Sequence, residues 1–304
     1  MPDPKLALLI VLALFSIGFI YRWAVSAALQ RRLAAVGGGD PSKPPSLAQV
    51  AIGFGTNFLD TLGIGSFATT TALFKLTNMV ADECIPGTLN VGHGLAVVAQ
   101  AFIFITVIQV DAFTLVTSIA AAVVGSWFGA GVVGNLPRRA VQLGMGIGLL
   151  AAAVFMLMTN LGLFPAAGAA LAFSGLRLVA ALAFNTLFGA LQTLGIGNYA
   201  PCLIVFSLMG LDTHAAFPIM MGSGAFPAMA AGIKFIQTRR YDLRTSLGLT
   251  IGGIPAVLIA GLIVRSMSLT TVRWLVVCVV IYTGVTMLRS AWQNAPSGRQ
   301  AIPL

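Results

Sequence analysis

Apolar stretches of about twenty residues, the length that crosses a bilayer as a helix, follow one another from Leu6 to Ala291 with hardly a charge inside them. Soluble domains carry roughly 25% charged residues, whereas this chain carries 8% and is 58% hydrophobic. So few polar groups cannot cover a water-facing surface, so most of that surface must meet lipid. Backbone polar groups in lipid have to be satisfied internally, which leaves helices or a closed barrel. A barrel needs strict alternation of apolar and polar residues, and the runs here show none. The expected fold is an all-α integral membrane protein with about nine membrane segments.

The formal charge of +9 does not make a nucleic-acid face, because the basic residues are scattered near the ends of apolar runs. Arg22, Arg31, Arg32 and Lys43 follow the first run, Arg138 and Arg139 sit in the middle of the chain, and Arg239, Arg240 and Arg244 come later. Control of topology by Lys and Arg explains that placement. Cys84, Cys202 and Cys278 lack the spacing of a zinc site or redox pair. No metal, cofactor or nucleic acid is expected, and the expected partners are a small anionic substrate and the bilayer, with a homodimer left open.

The run 6–21 reads as a retained membrane helix, since basic residues follow it, as in an outside-to-inside anchor. The only linker is 35–46, with Gly37-Gly38-Gly39 and Pro44-Pro45. Further spans are expected at 47–76, 85–108, 113–136, 141–163, 174–208, 215–236, 243–264 and 272–291. This divides the chain into an N-terminal helix and loop at 1–46, a first unit at 47–164, a second at 173–292 and a tail at 293–304.

Two of these spans, 47–76 and 174–208, are too long for one simple crossing, and each contains the same pentapeptide. Thr61-Leu62-Gly63-Ile64-Gly65 returns as Thr193-Leu194-Gly195-Ile196-Gly197, 193 − 61 = 132 residues later. Continued without gaps from Ser66 to Val133, the alignment holds 12 identities in 68 positions, about twice the number expected by composition. Pro86/Pro218, Gly92/Gly224 and Gly129/Gly261 are among them, and such residues mark backbone events. Duplication is the expectation. If the broken elements cross the membrane, the halves run parallel, which suits the basic loops. If they turn back as re-entrant hairpins, the halves are inverted, which suits a midplane site.

Glycines inside an apolar helix weaken or break it, and matched breaks in two halves of a membrane protein point to a solute site. Polar side chains flank both breaks, and the helix restarting after each presents its positive N-terminal end. The expected binding residues are Asn57, Thr61, Gly63, Gly65 and Ser66 in the first half, and Gln192, Thr193, Gly195, Gly197 and Asn198 in the second. Neutral donors around such helix ends suit a small anion held without a fixed counter-charge. The competing reading is close helix packing through small residues.

A polar-then-glycine-rich break, a renewed apolar helix and a downstream proline, duplicated in a small multi-span chain, resembles the sulfite exporter TauE/SafE family of anion permeases. Gly63-Ile64-Gly65-Ser66 carries the likeness in the first half and Gly195-Ile196-Gly197 with Pro201 in the second, and it covers roughly 47–292. The family's first copy usually has a richer glycine cluster followed by a proline; here Thr69 stands where the second copy has Pro201. The resemblance implies transport of sulfite, sulfonates such as sulfoacetate, or related organosulfur anions across a cell inner membrane by a multi-pass permease that is not an enzyme.

Asp60, directly before the first break, aligns with the neutral Gln192. An acid within a membrane segment is costly and marks function by default. Were it to take up a proton, its repulsion of an anion would fall, giving a basis for proton coupling. Lys75, Arg177 and Lys234 sit near span ends, where long side chains snorkel to the interface. His93 is expected to bond a neighbouring helix. Two other classes remain: a passive anion channel, and an intramembrane serine hydrolase using Ser223 with His93 or His214 as base.

Overall fold

The computed structural model describes residues 4–36, 43–63, 65–81, 84–132, 168–193, 198–266 and 268–293, with scattered positions between 139 and 161. Ten helices run through the described residues: α1 Pro4–Val36, α2 Leu47–Thr61, α3 Ser66–Thr77, α4 Ile85–Val107, α5 Ala112–Val132, α6 Gly175–Thr193, α7 Tyr199–Leu208, α8 Thr213–Thr238, α9 Leu243–Ser266 and α10 Leu269–Gln293. Apart from one isolated bridge between Ala170 and Leu211, no strand pairing occurs among them. Five helical stretches are long and apolar enough to cross a membrane: Pro4–Arg32, Ile85–Val107, Gly175–Gln192, Thr213–Thr238 and Leu243–Val264. Large apolar side chains such as Phe113, Trp127 and Leu262 point outward, each more than 60% exposed. An apolar exterior over an all-helical core is the pattern of a membrane protein. The expected span 141–163 falls largely outside the described residues.

The helix ends gather at two opposite ends of the molecule. At one, Ser46 caps α2 in a reciprocal box with Gln49, whose amide nitrogen reaches Thr245 of α9 at 2.7 Å. Arg244 donates to the Pro44 carbonyl at 2.7 Å, and the Asp242 amide donates to Thr88 of α4 at 2.9 Å. Gln30 of α1 donates to Tyr241 at 3.1 Å. Lys43, Arg239, Arg240 and Arg244 all lie here, so this is the basic end. At the other end, the Asp111 amide donates to Leu171, the Phe173 amide to Thr114, and the Asp212 amide to Ala170, at 2.9, 3.1 and 2.8 Å.

These contacts settle the path of the two broken elements. Helix α2 starts at the basic end, and α3 returns to it, because Val80 beyond α3 packs with Ile85 and Leu89 at the start of α4. Helix α6 starts beside 170–173 at the other end, and α7 comes back there, where the Ala170 amide meets the Gly210 carbonyl and Phe173 meets Phe206 edge-on. Each broken element is therefore a helical hairpin, and the two start from opposite ends of the molecule.

The long helices pack as a row. Helices α4 and α8 lie antiparallel at its centre, with Phe104 on Phe217 near one end and Gly232 beside the Asn90 carbonyl near the other. Helix α2 runs parallel to α9, and α6 runs parallel to α5. Both parallel pairs approach through glycine. A methyl at Gly252 would land on the Val50 carbonyl, and methyls at Gly125 and Gly189 would land on the Thr186 and Ala122 carbonyls. Such small-residue contacts replace the hydrophobic effect as the means of joining helices in lipid. Helix α1 lies against α8 and α4, its Phe19 filling the space over Gly94 and Gly232.

Candidate functional site

At the first tip, Gly63 and Gly65 turn the chain with φ of 97° and 85°, a region closed to residues with a Cβ. The turn folds Asp60 back over the start of α3, where one carboxylate oxygen accepts the Ser66 amide at 2.5 Å. Gln100 of α4 donates to the other oxygen at 3.0 Å and to the Thr61 hydroxyl at 3.0 Å. The amide exposed by the restarting helix is thus taken by the protein's own carboxylate. An anion-binding end was expected here; Asp60 fills it, because six residues of turn bring the side chain within reach of the helix start.

The second tip is finished differently. Gln192, 4% exposed, donates its amide nitrogen to the Gly224 carbonyl at 2.9 Å. That bond fixes its orientation and leaves the side-chain oxygen without a partner among the described residues. Asn198 begins α7 without a side-chain cap, is 2% exposed, and its amide nitrogen is also unpartnered. Tyr199, the next residue, donates its hydroxyl to the Gln100 oxygen at 3.0 Å. Gln100 therefore ties the two tips together, bonded to Asp60 and Thr61 on one side and Tyr199 on the other.

Between the tips lies a buried cavity lined by Asp60, Gly65, Ser66, Phe67, Val97, Gln192, Asn198 and Tyr199. Its room for solvent, about 20 Å³, exceeds the roughly 10–15 Å³ that one water needs. Of the side chains expected from sequence, Asp60, Gly65, Ser66, Gln192 and Asn198 meet here. Asn57, Thr61 and Gly63 do not line the cavity. Asn57 and Thr61 bond the Gly53 and Asn57 carbonyls at 2.7 and 2.8 Å, as polar groups within a helix do when no water is near. Gly63 packs on Leu203. Thr193 closes α6, and Gly195 and Gly197 lie outside the described residues.

Gln100, Tyr199, Phe67 and Val97 were not among the expected site residues. A signal existed for Gln100: it is an amide with apolar residues on both sides in α4, where a polar side chain needs a partner. Tyr199 carried a weaker one, as an aromatic hydroxyl beside the second break. Phe67 and Val97 are indistinguishable in sequence from any other apolar wall.

Comparison with known proteins finds no match to a family model, a curated protein or a solved structure.

The remaining polar features have local roles. The His93 ring bonds Asn57 through one nitrogen at 3.1 Å and Thr70 through the other at 3.0 Å, tying α4 to both limbs of the first hairpin. Ser223 accepts from Asn185 at 2.7 Å, and Asn185 also donates to the Ser118 carbonyl at 2.6 Å. No imidazole bonds Ser223 among the described residues. A wider crevice of about 1080 Å³ opens between α5 and α8, lined by Trp127 and Pro227 among others, with Lys234 and Arg240 toward the basic end.

Proposed function

We propose that the chain is a secondary transporter of small anions, with its solute site at the cavity between the hairpin tips. One observation carries the reading: two re-entrant hairpins from opposite ends meet at a buried cavity whose wall holds polar groups without partners. Irregular backbone at membrane depth is tolerated only where protein or a solute cavity covers it. A site between opposed elements is what alternating access requires, because small movements of either side expose it to one face or the other.

The halves are read as inverted repeats. Shifted by 132 residues, α2, α3, α4 and α5 coincide with α6, α7, α8 and α9. The packing partners exchange under the same shift: α2 with α9 corresponds to α6 with α5, and α4 with α8 corresponds to itself. An odd number of crossings per half follows from the hairpins being re-entrant. The basic end is read as cytoplasmic, in a cell inner membrane. Lys234 and Arg240 beside the wider crevice would concentrate anions on that side.

Asp60 is assigned the role of proton carrier. A carboxylate in the wall of an anion site repels its own substrate, and protonation removes that charge. The presence of Asp60, with no basic side chain among the described lining residues, favours one second reading, an uncharged polar solute. The sulfite exporter TauE/SafE resemblance suggests the anions to try first: sulfite, sulfonates and related organosulfur compounds. The test is flux into proteoliposomes with sulfite, sulfonates, carboxylates and uncharged analogues, with and without a pH gradient. Counterflow exchange of an anion is expected. Flux that never saturates would replace the carrier by a channel, and exchange of uncharged solutes alone would replace the anion.

A further inference from the structure

We infer that the solute taken by this cavity carries both a hydrogen-bond donor and an acceptor, so that it is a protonated or hydroxyl-bearing oxyanion, not a bare one. The inference rests on the transporter reading and names its substrate class. It follows from what the cavity wall has left to give. Asp60 is engaged by the Ser66 amide and Gln100, and Gln100 is engaged in turn by Thr61 and Tyr199. What remains is on the second hairpin: the Gln192 oxygen, an acceptor, and the Asn198 nitrogen, a donor.

Both residues are more than nine-tenths buried and line the same cavity. The Gln192 amide cannot turn over to offer a donor instead without abandoning the Gly224 carbonyl. A buried polar atom without a partner is costly, and the cost is recovered by a water in the cavity or by a solute that, on displacing the water, supplies the same donor and acceptor. Sulfate or a simple alkanesulfonate could satisfy Asn198 and the start of α7, but would set a lone-pair oxygen or a methyl against the Gln192 oxygen. A hydrogensulfite or a hydroxylated sulfonate supplies an oxygen to Asn198 and an O–H to Gln192.

The discriminating pair is 2-hydroxyethanesulfonate and propanesulfonate, which match in size and charge and differ by a hydroxyl in place of a methyl. Counterflow by the purified full chain in proteoliposomes should favour the hydroxylated anion about tenfold in kcat/KM, the size of one buried hydrogen bond lost. Gln192→Met should bring the ratio close to one. Asn198→Leu should slow both anions and leave the ratio intact, because it removes a donor that both use. Equal handling of the pair by the unmodified protein overturns the inference and leaves the transporter standing. Absence of exchange with every anion overturns the transport reading, and this inference with it. The ratio in the unmodified protein decides the matter even if a variant fails to insert.

Discussion

At the first hairpin tip, the chain closes its own valences: Asp60 takes the Ser66 amide, and Gln100 takes what remains of Asp60. At the second, the matching Gln192 turns to the Gly224 carbonyl, and the Asn198 side chain at the start of α7 makes no cap bond. At the aligned position an acid is exchanged for an amide, and the two side chains find different partners. A carboxylate accepts only, so it is drawn to exposed N–H groups; an amide can donate, so it finds a carbonyl and leaves its oxygen bare. The carboxylate thus stands on the first hairpin, and the side-chain atoms without partners among the described residues stand on the second.

The largest effect should come from breaking the contacts of Asp60. Asp60→Leu leaves the Ser66 amide without its acceptor and strips the Gln100 amide nitrogen of one of its two, Thr61 remaining, and should cost about 4 kcal/mol on a scale of 1–3 per lost partner. Thermal unfolding in detergent would read this, and an unfolding temperature equal to that of the parent would mean that the first tip is not held by Asp60. The milder Asp60→Asn keeps an acceptor for Ser66 and should leave the protein in the membrane. It should flatten the dependence of flux on pH, and an unchanged pH profile would remove Asp60 as the proton carrier.

Next come the glycines where the hairpins lie on their partner helices. Gly252→Ala and Gly125→Ala each push a methyl into a facing carbonyl, and each should cost about 3 kcal/mol, at the upper end of overpacking effects. Equal damage on both sides would support the exchange of partners between halves. Gly55→Ala, which meets nothing within 4 Å, is the control and should be neutral or slightly stabilising.

At the tip itself, Gly65 has open space around it but a φ of 85°. Gly65→Ala should therefore cost about 2 kcal/mol through backbone strain alone, again by thermal unfolding. A silent substitution would show that the turn can relax.

Asn198→Leu should have the smallest effect on stability and an informative sign. It removes an unpartnered buried donor, so the unfolding temperature should hold or rise, while flux falls about tenfold. A stability loss with full flux would identify Asn198 as structural. Substitutions that stabilise and disable together are the mark of a residue kept for function.

Much of this could be read from the residues. Long apolar runs dictate helices, because lipid offers the backbone no other partner, and the glycine pairs locate the breaks. Asp60, Ser66, Gln192 and Asn198 stood out as polar groups at the edges of those breaks, and they meet at the cavity. Asn57 and Thr61 stood out in the same way, yet each turns to a carbonyl four residues back on its own helix. A hydroxyl or amide in an apolar helix looks the same in sequence whether it serves a solute or its own backbone.

The sequence by itself determined the solvent, the helical class and the positions where the helices break, since these follow from local composition and from the conformational freedom of glycine. Only the tertiary structure decided that both broken elements turn back, that they do so from opposite ends, and which side-chain atoms keep no partner among the described residues. Charge counting in the loops had pointed toward crossing elements, because it registers only the ends of segments. The return of α3 and α7 depends on contacts far apart in the chain, Val80 with Leu89 and Ala170 with Gly210. The open valence on Gln192 depends on a carbonyl 32 residues away, and no pattern within the break itself records it.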